Sequence, residues 1–221
     1  VFIPGATLDS PIELPKHELE KFRKVLRLGT GDEIVVLPND GTALRCQLDG
    51  KVAKAIERFS PDVESPLHLT LVQALPRGDK VDEVVRACAS IGVAEFVFFP
   101  SERSVVRWDT EKLSAKLNRL ATIAMESCEL SFRTRLPRLS VAESLEAVLR
   151  RFPEAIVLSE VEGEERKLSS TGKNEVIVVG PEGGWAPREV ELIGSRAVTL
   201  GPRVLRVEHA GAAAAAILLL T

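Results

Sequence analysis

Arg206 and Glu208 stand two residues apart in the stretch "LGPRVLRVEHAG" (200–211), with Arg203 three residues before Arg206 and His209 directly after Glu208. Guanidinium groups at this spacing can grip a phosphate or stabilise charge that builds on an oxygen during a reaction. The carboxylate can orient a guanidinium or accept a proton. The bland alternative is a surface Arg–Glu pair, and a lone histidine more often packs or faces solvent than titrates in catalysis. A second candidate is "VIVVGPEGGW" (176–185), in which four branched apolar residues run into a turn with three glycines and one carboxylate, Glu182. Gly180-Pro181-Glu182-Gly183-Gly184 matches neither G-x-G-x-x-G nor the phosphate loop ending in Gly-Lys-Ser/Thr, so it gives no support for a nucleotide phosphate. Its glycines suit either a plain strand-to-helix turn or a main chain that must approach a ligand closely. Pro187 favours the first turn of a following helix, and Glu189, three positions after Ala186, is half of a capping box that lacks its hydroxyl.

Other residues point towards a polyanion. Lys21, Arg23, Lys24 and Arg27 fall within seven residues, Arg133, Arg135 and Arg138 within six, and Arg103 and Arg107 sit close to Trp108. Charge runs are usually solvated faces. The net charge of -3 leaves no global positive field, however, so nucleic-acid binding would require just such local clusters. Trp108 could stack on a base or belong to the core. Glu126 and Glu129 share a helix face but have no His or Asp partners in the sequence pattern, so no metal site is expected. Cys46, Cys88 and Cys128 are far apart and form no C-x-x-C spacing, which argues against a disulfide framework or a thiolate zinc site and fits a reducing cytoplasm.

The elements that must position these residues change in character along the 221-residue, 45% hydrophobic chain. The N-terminus lacks the basic and apolar regions of a secretory signal. Next, "PKHELEKFRKVLRL" carries Leu19, Phe22, Val25 and Leu26 at helical spacing, ending at Gly29. "DEIVVL", "GTALRCQL" and "KVAKAIERF" alternate between turn signals, which predicts a small antiparallel β-barrel. "FSPDVESP" (59–66) reads as a linker. Beyond it, strand and helix patterns alternate: "LHLTLVQAL", "GDKVDEVVRACASIG" and "AEFVFFP", then a long helix over about 109–129, then "AIVLSE", "EVIVVG" and "AVTLG" as short buried strands. This predicts an α/β domain with a parallel sheet and helices on both faces. Ligands in such sheets sit beyond the carboxyl ends of the strands, which here are "LSEVEG", "VGPEGGW" and "LGPRVLRVEHAG". The C-terminal "GAAAAAILLL" falls well short of the ~20 residues that span a bilayer and reads as a buried helix, so no membrane partner is expected. The expected domains are residues 1–65 and 66–221.

Five fragments, in this order, resemble one family, the RsmE-type 16S ribosomal RNA uridine-N3 methyltransferases of the SPOUT class. They are "KVLRLGTGDEIVVL", "LVQALPRGDKVDEVVRACASIGVAEFVFFPSERSVV", "LATIAMESCELSFRTRLPRL", "VVGPEGGW" and "LGPRVLRVEHAG". The resemblance implies an N-terminal PUA-like barrel that binds RNA, followed by a trefoil-knotted catalytic domain that binds S-adenosyl-L-methionine and acts as a homodimer on 16S rRNA or the assembled small subunit. It places the cofactor at Leu158, Gly180, Pro181, Glu182, Gly183, Gly184, Leu200, Gly201 and Leu205, and catalysis at Arg206 and Glu208. RNA contacts are implied at Lys21, Arg23, Lys24, Arg27, Arg103, Arg133 and Arg135. The chain departs from the family pattern at Arg86, Ser90 and Leu130, and at Ala186, where the helix cap is usually Ser or Thr. Val207 and His209 replace two hydroxyl residues. These last changes leave two alternatives: a related methyltransferase with another target, such as a ribose 2′-hydroxyl or a tRNA base, or an RNA-binding factor that has lost catalysis.

Overall fold

The computed structural model describes residues 1–159, 166–169, 172 and 174–220. The chain divides into two compact units, Val1–Glu64 with Cys128–Leu136, and Ser65–Ser127 with Pro137–Thr221. The division near residue 65 falls inside the proline- and acid-rich segment. The return of Cys128–Leu136 to the first unit was not legible from local pattern.

In the first unit, β1 (Ile12–Glu13) leads into α1 (Lys16–Lys21), a π-helical turn (Phe22–Leu26), and the strands β2 (Glu33–Val36), β3 (Ala43–Asp49) and β4 (Val52–Phe59). The strands form an antiparallel sheet of order β1-β4-β3-β2. Leu44, Cys46 and Leu48 alternate along β3 and point inwards, where they join Ile12, Leu14, Phe22, Val36 and Ala53 in one apolar core. Each large aliphatic or aromatic side chain buried this way contributes roughly 1.5–3 kcal/mol. The sheet is open, where a closed barrel was expected: β1 has only two residues and pairs with β4 alone, so no described ladder joins it to β2.

The helix before β2 also differs from expectation. Phe22 is buried, but Val25 is 71% and Leu26 52% exposed. The expected apolar stripe assumed 3.6 residues per turn, whereas the wider turn at Phe22–Leu26 rotates the last two residues off the core, and Arg27 ends it at φ 58°.

Glu64 ties the returning segment into this unit. Its carboxylate accepts from the backbone N–H of Thr134 (2.7 Å) and Arg135 (3.0 Å) and from Nη2 of Arg133 (2.9 Å). Burial alone would raise the Glu64 pKa. The hydrogen bond and charge of Arg133, with the two N–H donors, outweigh that effect and hold it below its ordinary value.

The second unit is an α/β layer structure. Its elements run β5 (His68–Ala74), α2 (Lys80–Ile91), β6 (Glu95–Phe99), a 3-10 turn (Thr110–Lys112) leading into α3 (Leu113–Leu130), β7 (Arg138–Val141), α4 (Leu145–Arg151), β8 (Ile156–Leu158), β9 (Asn174–Val179), α5 (Pro187–Ile193), β10 (Ala197–Val198) and α6 (Val207–Leu219). The sheet has the order β10-β8-β9-β5-β6-β7, and every pairing is parallel. On one face Val72, Ala74, Val97, Phe99, Val157 and Val178 pack with Leu145, Val148 and Leu149 of α4 and Ile193 of α5. On the other, α2 and α6 pack together, and α6 also touches β5 and β9. Gly211 permits that closeness. A Cβ there would lie 3.0 Å from Cδ2 of Leu71 and 3.6 Å from Sγ of Cys88. Burial pushes the Cys88 thiol up to about 12, so it behaves as a small apolar filler. Among the described residues no helix is long and apolar enough to cross a membrane.

Two outcomes are expected. Gly211→Val should lower the unfolding free energy by about 1–3 kcal/mol, read from urea midpoints, because the added branch has no room between Leu71 and Cys88. For Glu64, a depressed folded-state pKa gives stability that is present above the ordinary value of 4.5 and lost as pH falls through the lower folded value. Denaturation of the native chain and Glu64→Gln across a pH series should therefore show the largest difference near neutrality and convergence as pH drops below 4.5.

Candidate functional site

Because β10, β8 and β9 are neighbours and parallel, their carboxyl ends open at one edge of the sheet, and the end of β8 with the loops after β9 and β10 lines a cleft of about 440 Å³. That volume lies within the ~300–1,000 Å³ usual for small-molecule sites. Of the expected cofactor residues, Leu158, Gly180, Pro181, Glu182, Gly183, Gly184, Leu200 and Leu205 line it. Gly201 does not line it but shapes the last loop: at φ 123° it exchanges hydrogen bonds with the Thr199 hydroxyl, donating its N–H at 3.1 Å and accepting at 3.0 Å. Beyond Leu158 and Ser159, most of the "LSEVEG" loop lies outside the described residues.

The glycine loop is built around Trp185, to which local sequence pattern assigns no role. Its buried indole N–H donates to the Leu158 carbonyl at 3.0 Å, joining the ends of β8 and β9. Its ring lies so near Gly180 that a Cβ there would stand 3.0 Å from Cε2, a tight contact that glycine avoids. The turn closes with Gly184 N–H donating to Pro181 O at 2.9 Å. Ala186 contributes no side-chain cap to α5. Instead Glu189 reaches back to Ala186 N–H (3.0 Å) and also accepts from the Ser101 hydroxyl and Glu102 N–H, each at 3.0 Å. The missing hydroxyl of the capping box is thus offset by one buried carboxylate with three donors.

A charged cluster borders the cleft. Glu182 accepts from Arg77 N–H at 3.1 Å and lies 3.2 Å from Nζ of Lys80. Lys80 Nζ is also 3.3 Å from Oε2 of the buried Glu208, an ion pair without an aligned hydrogen bond. Oε1 of Glu208 is 4.0 Å from the Arg206 guanidinium, whose side chain is 81% exposed. Glu208 sits in the first turn of α6, where its own backbone N–H, opposed by burial and aided by Lys80, lowers its pKa. For Glu182, burial raises the pKa, but backbone N–H groups and Lys80 more than offset it, leaving it lowered. Arg203 also lines the cleft and is exposed, as is His209. Lys80 went unmarked in the sequence because its partners lie far downstream.

The expected RNA-binding residues separate into two groups. Arg103 is exposed and donates to Gly183 O at 2.9 Å, which puts it on the outer side of the glycine loop. On the first unit Arg23 and Arg27 are exposed, Lys24 pairs with Glu20, and Lys21 pairs with Glu129 and Glu18. Arg135 is exposed and lies against Gly41. Arg133 must be corrected: it is 4% exposed and committed to Glu64, so its guanidinium is a strut of the first unit rather than a phosphate contact. Trp108 packs on Phe98 with ring centroids 5.3 Å apart. Among the described residues no group of three or more His, Cys, Asp and Glu could hold a metal ion.

Residues 63–219 match a family model described as an RNA methyltransferase domain. The chain is also 32% identical over 214 residues to the ribosomal RNA small subunit methyltransferase E of Bacillus subtilis, covering 88% of this chain and 84% of that one. The chain belongs to that methyltransferase family. The Synechocystis protein of the same name is 31% identical over 221 residues, covering 93% of this chain and 72% of its own. Among solved structures, a ribosomal RNA small subunit methyltransferase E from Neisseria gonorrhoeae bound to S-adenosyl methionine superposes with a TM-score of 0.85 at 28% identity, covering 98% of this chain and 94% of that one.

The indole hydrogen bond can be tested without any ligand. Trp185→Phe leaves the Leu158 carbonyl without its donor and should lower the unfolding free energy by about 1–3 kcal/mol in urea denaturation.

Proposed function

We propose that this chain transfers a methyl group from S-adenosyl-L-methionine to N3 of a uridine in 16S ribosomal RNA. The observation that carries this reading is the cleft at the β8, β9 and β10 ends, with the Arg206–Glu208 turn next to it, on a chain of the methyltransferase family. The cleft suits a nucleoside better than a nucleotide. Leu158, Leu200 and Leu205 offer an apolar slot for adenine, and Gly180, Pro181, Gly183 and Gly184 present main chain to polar groups. Glu182 adds a carboxylate to the wall, and Gly201 shapes the third loop. Once bound, the cofactor supplies an electrophilic methyl carbon on a sulfonium.

Methylation would break the N3–H bond of the uracil and form an N3–C bond as the methyl–sulfur bond of the sulfonium breaks and leaves a neutral thioether, with the N3 proton passing to solvent. Negative charge develops on O2 and O4 as N3 loses its proton. The exposed Arg206 guanidinium stabilises that charge, the role of an oxyanion-hole donor. Glu208 is already committed to Lys80 and Arg206, so protonating it is disfavoured and its part is to orient Arg206. Arg103, Arg135, Arg23, Arg27, Lys24 and Lys21 contact RNA phosphates, which position the substrate while the flipped base specifies it.

The finer architecture belongs to the same reading. The first unit serves as the PUA-like RNA-holding module, the chain around β9, β10 and α6 is the trefoil-knotted segment, and the protein works as a cytoplasmic homodimer. Exposed Ile217 and Leu220 at the end of the alanine-rich α6 support burial against a second copy.

The test is incubation with under-methylated small subunits and labelled cofactor, followed by digestion and mass mapping. Incorporation at uridine N3 is expected. Arg206→Ala should lower kcat by about 10²–10³ while calorimetry shows cofactor affinity little changed. A wild-type protein that binds the cofactor yet labels no rRNA would sink the substrate assignment.

A further inference from the structure

Lys80 opens α2, and its single ammonium reaches two segments that the chain separates widely: Glu182 of the glycine loop at 3.2 Å and Glu208 of the first turn of α6 at 3.3 Å. Three residues earlier, Arg77 N–H donates to the same Glu182 carboxylate at 3.1 Å, so one short stretch that leads into α2 holds the loop at two points. Glu182 lines the cleft, and Glu208 is buried with its other oxygen 4.0 Å from Arg206. Without a cation between them, two carboxylates brought this close repel one another, and a buried carboxylate that loses its partner is strongly unfavourable. A lysine suits the position because its compact ammonium has three rotatable donors, able to serve acceptors on separate segments. A planar guanidinium favours two parallel bonds to one partner.

We propose that Lys80 is a positioning residue that ties the glycine loop to the first turn of α6, so that filling of the cleft and alignment of Arg206 are coupled. The tie depends on the methyl-transfer reading only for the identity of the ligand. By linkage, whatever orders the loop through Glu182 also orders the turn that carries Glu208 and Arg206, and the effect is reciprocal.

The first test needs no ligand. Amide hydrogen exchange of the free protein is expected to speed up in Lys80→Met at both 180–185 and 206–211, with β5 and β6 unchanged and Lys80→Arg intermediate. Exchange that is unaltered at either segment overturns the tie. The second test is calorimetry with S-adenosyl-L-methionine. Lys80→Met should weaken binding by about tenfold, in the range of ordinary site coupling, and should add little in a Glu182→Gln background. Effects that simply multiply in the double variant overturn the coupling. In turnover, kcat should fall with KM for RNA little moved, and Lys80→Arg should recover part of the loss; loss of RNA affinity alone would make Lys80 a phosphate contact and overturn the positioning role. Should Lys80→Met fail to fold, Glu182→Gln tests the same tie by exchange at 206–211. If the wild-type protein neither binds the cofactor nor methylates RNA, the functional reading fails while the exchange result still decides on Lys80.

Discussion

Three parallel strands lying side by side must all release their chains at the same edge of the sheet, and the site follows from that constraint. The order β10-β8-β9 brings Leu158 and Ser159 at the end of β8 together with the loops after β9 and β10 as the walls of one cleft. Parallel pairing also buries these strands on both faces, which is why, past Asn174 and Glu175 at the start of β9, they are built from apolar residues. Chemistry is therefore confined to what lies past the strand ends, and the loops must be held by contacts other than strand pairing. The indole of Trp185 does this between β8 and β9, and Glu189 does it between α5 and the residues after β6.

Both of these contacts use a side chain to satisfy backbone groups. Contacts of this kind fix the direction of carbonyls and N–H groups around the cleft, and ordering that is already in place does not subtract from the affinity of anything that binds there. The Pro181–Gly184 turn, the Thr199–Gly201 pair and the Trp185–Leu158 bond are all of this kind. The cluster of Glu182, Lys80, Glu208 and Arg206 is different, because its members are charged, border the cleft and face partners on other elements.

What could be read in the sequence was what local pattern controls. Buried parallel strands appear as runs such as Val-Ile-Val-Val, and α2 shows its apolar face at Val81, Val84, Val85 and Cys88. Glycines at strand ends marked the cleft loops. Short or polar elements left no such trace: β1 has two residues and β7 begins with Arg138. Pairings across long separations were equally invisible. Arg133 looked like part of a basic surface because nothing local reveals that Glu64, 69 residues earlier, takes its guanidinium inside. Lys80 looked like one more charge at the start of a helix. Val25 and Leu26 misled for another reason, since their spacing was right for an α-helix and the backbone adopted a wider turn.

The Glu64 carboxylate has a consequence for how the chain is made. Its partners Arg133, Thr134 and Arg135 are synthesised only after β5, α2, β6 and α3. The four strands of the first unit all lie within residues 12–59, whereas the rest of that unit, Cys128–Leu136, is made much later. Cutting the chain between Glu64 and Arg133 would strand a carboxylate whose donors lie on the other piece.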